Sequence, residues 1–143
     1  RTDRPQEPRL PVEVFAFHVD VPAGAKDVIA KFIHTSPLQA SEGRITDYYV
    51  TNHAIHEAFI TLADNRWLAQ VIGDLRKILR LARLPQLHAP GRLQQSLSEH
   101  LAVFAALKAG NSAAAEDAMR SHLLRQRDAL RDVARNQQSR LTP

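Results

Sequence analysis

From Gly24 onward, apolar residues recur every three or four positions in long stretches separated by short polar connections. This helical period limits the fold more than any other feature of the chain. The spacing predicts a short first helix over GAKDVIAKFIH that stops near Ser36-Pro37, followed by the loop PLQASEG. A second helix is expected from Arg44 to Ala63, and a third from Arg66 to Leu84, capped by Asp64 or Asn65 and ended by Pro85. Beyond the loop PQLHAPG a fourth helix covers Arg92 to Ala109 and is closed by Gly110. A fifth starts at Asn111 or Ser112 and runs to about Asn136, with a frayed tail. Long amphipathic helices with short connections make an all-α, antiparallel helical bundle.

Residues 1–23 read differently. They hold four of the eight prolines and two short apolar runs, LPVEVFAF and VDVP, and are expected to form an irregular N-terminal segment or linker ahead of a helical domain at 24–143. A chain of 143 residues that is 44% hydrophobic suits one compact domain with a proper core. The absence of cysteine excludes a disulfide framework and a thiolate zinc finger, so any metal must be held by His, Asp, Glu or Asn. No apolar run approaches the roughly 20 residues that span a bilayer, and RTDRPQEPRLP lacks the apolar core of a signal peptide. A soluble, cytoplasmic protein with no membrane partner is expected. A first residue of Arg rather than Met is what a piece of a longer polypeptide would show. The net charge of +4 and pI near 10 invite a nucleic-acid reading, but the arginines are interleaved with acids, as in RQRDALRD, which is the pattern of a solvated face.

The informative residues are polar ones on apolar faces. In TNHAIHEAF, Asn52 and His56 are four residues apart and share a helix face with Ile55 and Phe59. On the fourth helix His100 falls between Leu97 and Phe104, and on the fifth His122 falls on the side of Ala118 and Met119. Three helices each turn an imidazole inward, and antiparallel packing would gather them with Asn52 at the centre of the bundle. Three neutral imidazoles and one oxygen donor suit a divalent metal such as zinc or nickel. The plainer alternative is a helical interaction module whose histidines hydrogen-bond in the core. His53 points about 100° away from Asn52 and is expected outside the cluster.

Three segments carry a family resemblance. NHAIHEAFITLADNRWL is similar to a D/N-x-x-F-H segment followed by Asn and an apolar residue; LSEHLAVFAALKAGN to an E-H, apolar, A-I, G-D segment; and AAAEDAMRSHL to an A-x-x-A-M-x-x-H-L ending. In order and at suitable spacing from Asp47 to Asp128, they resemble the FCD effector-binding domain of the FadR-type branch of GntR-family bacterial transcription regulators. The resemblance implies a non-enzymatic, all-helical sensor that binds a small organic acid through a divalent metal. The metal positions fall on Asn52, His56, His100 and His122. It also implies a homodimeric regulator in which the effector alters DNA binding, with DNA contacted by a winged helix-turn-helix domain not present in this chain. Two departures stand out: Asn52 occupies a position where the family often has Asp, and RLPVEVFAFHVDVPAG lacks the R-x-x-L-E pattern of the family's first helix.

A carboxylate effector calls for a guanidinium beside the metal, and the third helix offers Arg76, Arg80 and Arg83. Arg76 and Arg80 each follow an apolar stripe residue and rank ahead of Arg83. A hydrolase built on a His-bound metal is the least favoured alternative, because Glu57 and Glu99 are both expected to point off the histidine faces.

Overall fold

The computed structural model describes residues 23–141. The irregular segment expected at 1–23 therefore lies, apart from Ala23, outside the described residues. The described chain forms five helices and no strand: α1 (Ala23–Ser41), α2 (Ile45–Leu62), α3 (Arg66–Gln86), α4 (Arg92–Lys108) and α5 (Ser112–Leu141). The expected all-α bundle is borne out. Connections of three to five residues turn each helix back on its predecessor. At Gly43 and Gly110 the backbone adopts φ of 65° and 67°, a left-handed conformation that glycine takes without steric cost and that closes the preceding helices. Asn65 caps α3 by accepting from the backbone N–H of Trp67 and Leu68, and Asn111 caps α5 by accepting from Ala114.

Helices α1 and α2 pack along each other, as do α4 and α5; α1 also meets α4, and α3 leans on α2 and α5. The core lies where α1, α2 and α4 meet. Ile29, Phe32 and Ala40 from α1 close on Tyr48 and Ile55 from α2 and on Leu93 and Phe104 from α4. Phe32 is wholly buried, with its ring 5.6 Å from Phe104, 6.0 Å from Tyr48 and 5.3 Å from the His100 imidazole. This side of the bundle thus supports one of the inward histidines directly.

Three helices are longer than their sequence signals suggest. Helix α1 continues for four residues past Pro37, where a turn had been expected. Proline removes the N–H that would bond the Ile33 carbonyl, but burial of Ala40 and bonds from Gln39 to Thr51 and from Gln94 to the Ala40 carbonyl hold the last turn. Helix α3 runs one residue past Pro85, with the Leu84 and Pro85 carbonyls taken by the amides of Leu87 and His88. Helix α5 continues to Leu141, beyond the expected fraying at Asn136.

A second difference matters more for function. The apolar stripe of α3 was expected in the core, yet Leu68, Val71, Leu75 and Leu79 are 40–57% exposed, and the only buried residues of α3 are Arg83 and Gln86. Helix α3 stands off the bundle along much of its length, and a cavity lies beneath it.

Candidate metal centre

On α2, Tyr48, Asn52 and His56 follow one another at single-turn intervals on the buried face. Opposite them α4 presents Ser96, Glu99 and His100, and α5 brings His122. Long side chains bridge the helices: the Tyr48 hydroxyl donates to Ser96 Oγ at 2.9 Å, Asn52 Nδ2 lies 3.2 Å from His100 Nε2, and His56 Nε2 lies 3.0 Å from His100 Nε2. Burial pushes the Tyr48 phenol up to about 12, so it remains a neutral donor.

Hydrogen bonds fix two of the three imidazoles. His100 Nδ1 donates to the Ser96 carbonyl at 2.7 Å, and His122 Nδ1 donates to Glu99 Oε2 at 2.7 Å. Each ring is thereby set with Nε2 as its unprotonated nitrogen: in His100 it faces Asn52 Nδ2 and His56 Nε2, and in His122 it has no partner. One ring nitrogen from each of His56, His100 and His122 lies within 4.8 Å of the other two, and all three residues are buried. Burial first, and the neighbouring imidazoles second, lower His100 to about 3 and hold His56 well below the usual histidine range. Neutral imidazoles are the form that ligates a metal.

The residues fit a divalent ion. His122 Nε2 is buried with no hydrogen-bond partner, an arrangement that costs free energy unless something accepts its lone pair. The structure brings together all four residues that the sequence suggested as ligands. Asn52 has its amide nitrogen toward His100; rotating the amide exchanges nitrogen for oxygen at the same place.

Glu99 was expected to point off the histidine face, and the structure corrects this. Its side chain is 3% exposed and lies between His122 and Arg92. Helix α4 is flanked by α1 on one side and α5 on the other, so two adjacent stripes are buried instead of one. Arg92 donates to both Glu99 oxygens at 3.3 Å and to Gln86 at the end of α3. Burial alone would raise the Glu99 carboxyl, but the His122 hydrogen bond and the Arg92 charge outweigh it, and the net shift is downward. The i, i+7 spacing of Arg92 and Glu99 was the available signal for this pair.

His56 also lines a cavity of about 410 Å³ between α2, α3 and α5, which connects the histidine cluster to the space under α3. Arg76 and Arg83 line this cavity and also a cleft on the outer side of α2 and α3; the exposed Arg80 lines that cleft and not the cavity. Arg83 is 4% exposed and, among the described residues, makes no hydrogen bond or ion pair; its guanidinium lies 5.8 Å from the Tyr49 ring. Arg76 Nη2 meets His53 Nδ1 at 2.9 Å, and its Nε sits 3.5 Å from Glu57, an ion-pair contact without hydrogen-bond geometry. Burial, and then the charge of Arg83, lowers Arg76 to about 10. His53 is exposed and outside the cluster.

Among the described residues no helix is long and apolar enough to cross a membrane. Comparison with curated proteins and with solved structures finds no match in either. Residues 24–125 of the 143 match the FCD domain, a span that takes in α2, α3, α4 and the first half of α5 with His56, His100 and His122. By that match the chain belongs to the FCD domain family.

Proposed function

We propose that this chain is the sensor domain of a GntR-family transcription regulator, binding a small organic acid at a divalent metal held by His56, His100, His122 and Asn52. The observation that carries the reading is His122. Glu99 fixes its tautomer, and its Nε2 is left buried and unpartnered beside two other imidazoles. Zinc or nickel suits the nitrogen-rich donor set. When bound, the metal supplies a Lewis acid for one carboxylate oxygen of the effector. Arg83 and Arg76 orient the other oxygen from the same cavity, and the apolar walls keep competing water away.

The cavity lining contains no Asp or Glu, which supports a binding site over a hydrolase: Glu99 is committed to Arg92 and His122, and Glu57 lies in the outer cleft. A homodimer acting in the cytoplasm, with DNA contacted by a winged helix-turn-helix domain elsewhere in the regulator, completes the reading. The direct His56–His100 contact favours a second reading, a metal-free interaction module with a hydrogen-bonded histidine core. Thermal unfolding separates the two. A sensor gains melting temperature with zinc and gains more when an organic acid is added, by mass action; a metal-free module responds to neither.

A further inference from the structure

Resting on the reading of this cavity as an acid-binding site, we infer that the effector is an amphiphilic monocarboxylate, with its head on Arg83 and Arg76 and an aliphatic or aromatic tail in the groove under α3. The cavity carries His56, Arg76, Arg83 and Gln126 as its polar lining and is apolar toward Ala63 and Leu68. Because α2 and α3 run antiparallel, His56 near the middle of α2 sits toward Arg83 at the end of α3, while Ala63 and Leu68 mark the opposite end. Between them the walls are Phe59, Ile72, Leu75, Leu79, Met119 and Leu123. No polar side chain lines the α2 wall beyond His56.

Two observations select this occupant. Arg83 is buried with no anionic partner in contact among the described residues, so the polar end calls for a negative charge. Along the groove Leu68, Leu75, Leu79 and Leu123 are each 40–53% exposed, apolar surface that a hydrocarbon tail would cover. A second carboxylate at the tail end would meet only apolar side chains and lose its hydration without compensation. The rise from His56 to Ala63 is about 10 Å, the length of roughly eight carbons.

Calorimetric titration of the full chain, zinc-loaded and chelated, with acetate, butanoate, hexanoate, octanoate, succinate and octan-1-ol tests this. In the zinc-loaded protein affinity should rise about threefold per methylene up to octanoate. Octan-1-ol and succinate should each bind at least tenfold more weakly than octanoate. Leu75→Gln and Leu123→Gln, both at half-exposed positions, should flatten the series while leaving acetate unchanged, and Arg76→Gln should narrow the gap between octanoate and octan-1-ol. Acetate or succinate binding as tightly as octanoate would overturn the inference and leave the metal-sensor reading standing, as would octan-1-ol matching octanoate. A steep series of equal affinity with and without zinc would uphold the amphiphilic effector and remove the metal from its recognition. Absence of binding by any acid overturns both.

Discussion

Glu99 accepts a hydrogen bond from His122 Nδ1 at 2.7 Å, and both side chains are buried. The carboxylate holds the imidazole in one tautomer and one orientation, and Arg92 holds the carboxylate. The geometry of the centre therefore depends on a residue that would not itself touch the metal. Glu99→Gln keeps the shape but leaves Arg92 without its counter-charge. It should lower zinc affinity about 10- to 100-fold and destabilise the fold by about 3 kcal/mol. Competition with a chromophoric chelator and urea unfolding measure the two effects.

Acid should destabilise the metal-free protein beginning near pH 6.5. His56 and His100 have folded pKa values below their unfolded ones, so the unfolded chain binds more protons once the pH falls through the ordinary histidine range. Their contribution is complete above that range and is lost as pH falls toward the folded value, about 3 for His100. Each should contribute a loss of about 2 kcal/mol between pH 8 and pH 5. Glu99, whose folded pKa is depressed, adds a further loss only below the ordinary carboxylate range. Urea unfolding across pH 5–8 checks this, and His100→Leu should remove about half of the slope.

Arg83 and Arg80 lie on one helix but should behave oppositely. Arg83→Gln should weaken acid binding at least tenfold with zinc content unchanged. Arg80→Gln should leave both unchanged, because Arg80 does not line the cavity beside His56. Equal effects of the two substitutions would argue for a diffuse field in place of a seated carboxylate.

Phe32→Ala removes a wholly buried ring that touches Tyr48, Phe104 and His100. A loss of about 3–5 kcal/mol is expected. Calorimetric unfolding gives the stability, and zinc affinity should fall as well, since the ring backs His100.

The sequence made the bundle legible because its apolar period and its short connections agreed. It also marked the polar residues on buried faces: Asn52, His56, His100 and His122 come together in the structure. What escaped it depended on the neighbours of each helix. Glu99 is buried because α5 covers a second stripe of α4, which the α4 sequence alone does not specify. The length of α1 past Pro37 is set by contacts from α2 and α4. The exposure of Leu75 and Leu79 depends on how far α3 stands from the bundle, and an amphipathic pattern reads the same over a core as over a cavity.

Zinc stoichiometry after reconstitution and exhaustive dialysis decides whether His56, His100 and His122 hold a metal. One equivalent per chain is expected in the wild-type protein and none in His100→Ala or His122→Ala. A wild-type protein that retains no zinc, or variants that retain as much as wild type, would contradict it.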